Sequence, residues 1–206
     1  MAITLVLLVV AIGAAVSVTS RTETLIAASF RESQEMLYAA EGGISVAVRD
    51  LDAAGDWNAV LSGALSSSFT DGASIGARTL PGGGSVTLCC SGGSLSADVQ
   101  QRAYGGRDWG ADTPQWQLFA WGRAADWLPG GRLGTPVYVA VWVADDPADG
   151  DGNPALDANG ILLLHAVALG GSGGHRAVEA VVQRPASTGL PPPSGLRILS
   201  WHDVRW

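Results

Sequence analysis

Apolar residues fill the beginning of the chain almost without interruption. From Met1 to Thr19 only Thr4, Gly13, Ser17 and Thr19 break the run, and no charge occurs before Arg21. At about 1.5 Å per residue, some twenty such residues are enough to cross a bilayer core of about 30 Å. Beyond Arg21 the pattern becomes amphipathic. Ile26, Phe30, Leu37, Ala40, Ile44, Val48 and Leu51 recur at spacings of three and four, the period of one helix face. Arg21, Glu23, Arg31, Glu32, Glu35, Glu41 and Arg49 fall mostly off that stripe. The pattern predicts one helix over residues 1–54, with its second half in water and one side covered. The Gly42-Gly43 pair is expected to soften its middle, and Gly55 to end it.

The rest of the chain has a different rhythm. Residues 55–84 are rich in Gly, Ser, Ala and Asp and read as a connector, with a helical turn or two around Trp57 to Leu65. Strand signals follow over Ser85 to Ser91, Asp98 to Tyr104, Gln115 to Arg123, Pro136 to Ala144, Gly160 to Leu169 and Arg176 to Arg184. In the fourth of these, Val137, Val139, Val141 and Val143 share one face while Tyr138 and Trp142 occupy the other, so neither face can be fully solvated. Leu162, Leu164, Ala166 and Ala168 alternate in the same way with Leu163, His165, Val167 and Leu169. The glycine-rich loop Gly170 to Gly174 then reverses the chain. It has no Lys-Ser/Thr and no helix after it, which excludes a phosphate-cradling P-loop. Pro191 to Pro193 form a stiff spacer before a last strand over Leu196 to Trp206, whose Trp201 and Trp206 are expected to dock on the head or on a neighbouring subunit. The expected fold class is α+β: a long N-terminal helix packed on an antiparallel β-sheet head spanning 85–206.

Composition narrows the functional classes. A net charge of -7 and a pI near 4.7, with no basic patch along the chain, argue against nucleic acid as a partner. Cys89 and Cys90 are the only cysteines. Neighbours on a strand point to opposite faces, so two thiols are the expected state, with a vicinal disulfide or an intermolecular bridge as alternatives. The segment Asp145 to Asn159 holds five carboxylates within thirteen residues and no basic residue. Oxygen ligands spaced around glycines suit a hard cation, so Asp145, Asp146, Asp149, Asp151, Asn153 and Asp157 are candidate ligands for weakly bound calcium. The spacing lacks the closing glutamate of an EF-hand, and the alternative is a solvated acidic turn that blunts the sheet edge. His165, His175 and His202 have no nucleophile or paired carboxylate at a recognisable motif spacing, so no enzyme is expected.

In combination these features resemble the type IV pilins, and among them the PilX-like minor pilins. The resemblance is carried by the apolar helix that continues amphipathically, by the segment Ser33 to Gly43, and by the acidic loop after Val141-Trp142-Val143. Gly173 to Val182 and the closing Arg197-Ile198-Leu199-Ser200-Trp201 add to it. It implies a precursor whose short basic leader is cut by a prepilin peptidase, leaving Met1 as an N-methylated first residue. The stem would then pass from the bacterial inner membrane into an extracellular filament made with other pilin subunits. Met1, Leu5, Ile26, Phe30 and Leu37 become the candidate processing and polymerisation residues. Most major pilins carry a glutamate at the fifth mature position, where this chain has Leu5; some minor subunits at filament tips also lack it. The alternatives are a membrane-anchored binding or adhesion module and a pseudopilin of a type II secretion system.

Overall fold

A computed structural model describes residues 2–103, 108–127, 136–171, 173–185 and 195–204. The chain divides into two compact units, residues 1–34 and 35–206.

The first unit is helical throughout its described length and belongs to helix α1 (Ala2–Ala53). Its hydroxyls bond within the helix. Ser17, Thr19, Thr22 and Thr24 each donate to the carbonyl four residues earlier, at 2.9–3.0 Å. The four hydroxyls therefore add no unsatisfied donor to an apolar surface.

The second unit is a sheet covered on both faces. After the last turns of α1 come α2 (Trp57–Leu61), a hairpin of β1 (Ala77–Thr79) and β2 (Ser85–Thr87), α3 (Leu95–Arg102), a 3-10 turn (Gly110–Asp112), β3 (Gln117–Arg123) and α4 (Ala124–Trp127). Four longer strands follow: β4 (Val137–Asp145), β5 (Ile161–Gly170), β6 (His175–Gln183) and β7 (Arg197–Val204). Strands β3 to β7 form one antiparallel sheet in chain order, a meander in which every neighbour is joined locally. The molecule is thus α+β, with a long apolar N-terminal helix and an antiparallel sheet.

Alternation along β4 and β5 sorts the two layers. Val137, Val139, Val141 and Val143, with Leu162, Leu164, Ala166 and Ala168, face Met36, Ala40, Ile44, Ala47 and Leu51 of α1 and Trp57, Val60 and Leu61 of α2. Gly43 is what lets α1 lie so close. A Cβ there would come within 2.8 Å of Val139 Cγ1 and 3.2 Å of Val141 Cγ2. The glycine expected to soften the helix is instead a packing site, and α1 runs through it unbroken.

Tyr138, Ala140, Trp142, Leu163 and Val167 form the opposite face, beneath Leu88, Leu95, Val99, Ala103 and Trp116. The segment that read as connector and uncertain strands supplies this second cover. Where a strand was expected over Asp98 to Tyr104, the structure has α3, and Tyr104 lies outside the described residues. Ser94 caps that helix by accepting from the Ala97 N–H, Asp98 sits in its first turn and Arg102 in its last. Leu95 and Val99, four apart, bury on its inner side. The strand expected over Ser85 to Ser91 ends at Thr87, because Cys89 and Cys90 form a vicinal disulfide and Cys90 takes a φ of 76°. The expectation of two thiols is therefore corrected: a left-handed residue supplies the distortion that an adjacent pair requires.

Both edges of the sheet are accounted for. Residues 67–71 run along β3, exchanging backbone hydrogen bonds with Phe119 and Trp121, and so cover one edge with part of the expected connector. Strand β7 pairs the C-terminal tail with β6 and forms the other edge, but Trp201, expected to dock, remains exposed; Pro191 to Pro193 and Trp206 lie outside the described residues. The helix and connector boundary expected at residue 54 differs from the division between units at 34/35, because α1 enters the head core at Met36 and α2 belongs to that core.

Candidate functional site

Two features carry chemistry that the core does not use: the apolar surface of the first unit and the acidic loop between β4 and β5.

Every described residue from 2 to 31 is exposed. Ten large apolar side chains between Ile3 and Val18 are each 56–77% exposed, and Leu25, Ile26 and Phe30 continue the surface. An 18-residue window of this helix has a mean hydropathy of 2.6, long and apolar enough to cross a membrane. Of the residues expected to mediate polymerisation, Leu5, Ile26 and Phe30 lie on this open surface. Leu37 does not: it is half-buried against the helix-facing core of the head. Met1 lies outside the described residues.

The acidic loop starts inside the sheet. Asp145 is the last residue of β4, pairs with Leu162 of β5, and by alternation faces the same side as Val143. It is 4% exposed, and its Oδ1 has no hydrogen-bond partner among the described residues. Carboxylate oxygens of Asp145, Asp149 and Asp151 lie within 4.8 Å of one another. Burial pushes the Asp145 carboxyl up to about 7; the Asp146 backbone N–H opposes this, while the charges of Asp149, Asp157 and Asp151 add to it. Burial also raises Asp157, against the Gly160 N–H and Arg184.

Asp149 and Asp151 also shape the loop, accepting from the Ala158 N–H and the Asn153 N–H, and the other candidate ligands do the same. Asp146 accepts from the Ala148 N–H and from Asn159 Nδ2. Asn153 accepts from the Ala155 N–H, and Asp157 from the Gly160 N–H. These are local side-chain-to-backbone turns, the ordinary use of Asx residues in a loop. The loop is also tied at two points to the rest of the head. The Asp157 N–H donates to Asn58 Oδ1 of α2 at 2.9 Å, and the Gly152 N–H to Asp112 Oδ1 of the 3-10 turn at 2.6 Å.

No family model, curated protein or solved structure matches this chain. The reading of its sites therefore rests on their own geometry.

A third feature, a buried polar row, escaped the sequence. His165 is fully buried, with Nδ1 3.0 Å from Glu179 Oε1, and His202 Nε2 lies 3.2 Å from Glu179 Oε2. The three residues are direct cross-strand neighbours on β5, β6 and β7. Motif spacing along the chain could not show this row, because it is created by strand register. Trp116 and Trp142 close around the His165 ring at centroid distances of 5.7 and 6.3 Å. The row joins the edge strand β7 to the interior of the sheet.

Proposed function

We propose that this chain is a non-enzymatic subunit of a pilus-like filament, held by its first unit in a membrane before assembly and polymerising through it afterwards. The observation that carries this reading is the division of labour within α1. Residues 2–31 are exposed, with an apolar run over Ile3 to Val18 that Leu25, Ile26 and Phe30 extend, and the last turns of the helix are built into the head core. Leaving ten large apolar side chains in water costs on the order of 10 kcal/mol, comparable to the whole net stability of a domain. Such a surface requires lipid or other apolar helices around it. A simple tether needs only the apolar segment, whereas this helix goes on past it to become the inner layer of the head.

The vicinal disulfide supports a head on the oxidising side of the membrane, since disulfides persist chiefly outside the cytosol. Leu5 fits apolar packing between stems, so subunits would be positioned by shape and by head contacts. The same architecture serves a pilus or the pseudopilus of a secretion system.

Electron microscopy of sheared surface fractions, with an antibody against the head, is the test. Labelled filaments are expected, together with their loss on Ile26→Glu or Phe30→Glu while the protein stays in the membrane. Retention of the whole population in the membrane fraction, with function unaffected by those changes, would identify a membrane-anchored binding module instead.

A further inference from the structure

We propose that the β4–β5 loop is a calcium site, in which Asp145, Asp149 and Asp151 hold the ion and fasten the loop to the end of the sheet. This is independent of how the stem assembles. A solvated acidic turn would place its carboxylates beyond the last strand residue, in water. Here the row Val137, Val139, Val141 and Val143 ends on a carboxylate that is itself a ladder residue, 4% exposed, with one oxygen lacking a partner among the described residues. A buried carboxylate oxygen without a donor is destabilising unless something compensates it.

What approaches the Asp145 carboxylate is more negative charge. The oxygens contributed by Asp149 and Asp151 stand no more than 4.8 Å from that of Asp145 and from each other. Three like charges drawn this close repel, yet the spacing suits one Ca²⁺, whose oxygen ligands at about 2.3–2.6 Å can lie up to about 5 Å apart. Three carboxylates supply at least three of the six to eight oxygens that Ca²⁺ accepts. Asp151, at the exposed side of the group, leaves room for water to complete the shell. Mg²⁺ demands near-ideal octahedral geometry at about 2.0–2.1 Å and parts reluctantly with its water, so a group of one buried, one half-buried and one exposed carboxylate suits the more adaptable shell of Ca²⁺.

The loop's other contacts say what the ion would accomplish. Through Asn58 the loop touches α2, which covers one face of the sheet, and through Asp112 it touches the 3-10 turn that precedes β3. An ion binding Asp145 at the strand end and Asp149 and Asp151 in the loop would close this end of the head between the two attachments. Its affinity should fall in the range of extracellular calcium modules, with a Kd of about 10⁻⁴ M, given three carboxylates of which one is exposed.

The test is calorimetric titration of the full chain in detergent micelles with CaCl2 or MgCl2 at matched ionic strength, alongside thermal melting with and without chelator. Calcium at 1 mM is expected to raise the melting temperature by about 3 °C, with a much smaller response to magnesium. Asp149→Asn and Asp151→Asn should each weaken calcium binding about tenfold or more. Asp146→Asn removes the same charge from the same loop outside the cluster and should change it less than threefold, about the effect of lost diffuse attraction. Asp145→Asn should melt higher than the parent without calcium, because a buried charge is gone, and should lose the calcium response. A parent that shows neither heat nor a melting shift at 1 mM calcium, an equal response to magnesium, or an Asp146→Asn loss as large as that of Asp149→Asn would overturn the assignment.

Discussion

The two parts of α1 have similar apolar content and opposite fates. Between Ile3 and Phe30 the large apolar side chains are open to the surroundings; between Met36 and Leu51 the stripe is buried to the last atom at Ala40, Ile44, Ala47 and Leu51. Their polar groups differ in the same way. Ser17, Thr19, Thr22 and Thr24 bond back to their own helix, whereas Asp50 reaches out to the head, accepting from Ser67 Oγ at 2.5 Å, from Ser68 Oγ at 3.0 Å and from the Ser68 N–H at 3.1 Å. A self-contained surface can exchange lipid for other helices without breaking any bond of the head. A shared surface cannot.

The sharpest way to break this contrast is a matched pair of truncations. Ile44→Ala should cost about 2–5 kcal/mol of head stability, because it opens a cavity between α1 and the valine row of β4. Ile26→Ala, the same chemical change in the first unit, should leave head stability within about 0.5 kcal/mol. Urea unfolding in micelles, followed by the fluorescence of the buried tryptophans, measures both. An equal loss at the two positions would mean that the first unit is not independent.

Gly43→Ala is the next largest. Alanine is the better helix former by about 1 kcal/mol, so propensity alone predicts stabilisation. The new Cβ, however, would meet the stiff, branched Val139 at 2.8 Å, and overpacking of that kind costs about 1–3 kcal/mol. A net loss of stability is expected. A gain would show that α1 can move away from the sheet without penalty.

The smallest effect is electrostatic. Burial acts to raise the Asp50 carboxyl, but the hydrogen bonds from Ser67 and Ser68, with Arg49 beside it, outweigh burial and hold it below its ordinary value. A carboxyl depressed in the folded state contributes stability that is fully present above its unfolded pKa and is lost as pH falls through the folded one. Asp50→Asn should therefore lower stability by about 1 kcal/mol at neutral pH and should flatten the acid limb of the stability curve below about pH 4. An unchanged acid limb would mean that the contact to Ser67 and Ser68 contributes nothing.

Much of this contrast was legible in the residues. The spacing of Leu37, Ala40, Ile44, Val48 and Leu51 gave the buried face of α1, and strict alternation in β4 and β5 gave both faces of the sheet, because periods of 3.6 and 2 are local properties. What stayed hidden depends on distant partners. Gly43 reads as a helix weakener until Val139 and Val141 are seen against it. Glu179 lies far in sequence from either histidine it meets, and only register aligns them. The segment from Asp98 to Tyr104 read as a strand, and the cap at Ser94 takes its meaning only from the core that Leu95 and Val99 enter. For the acidic loop, composition identified six oxygen-bearing candidates but could not show which three converge, since Asp149 and Asp151 of the converging group accept loop N–H bonds just as Asp146, Asn153 and Asp157 do.

In the proposed filament the uncovered part of α1 is covered by the same part of other copies. Replacing Phe30 with a photo-crosslinking phenylalanine analogue and irradiating intact cells tests it most directly. A ladder of crosslinked species at multiples of about 21.1 kDa is expected in the sheared filament fraction. The same analogue at Ile44, buried in its own head, should give none. Crosslinks at position 30 that run only to lipid or to an unrelated protein, with the chain otherwise a monomer, would contradict it.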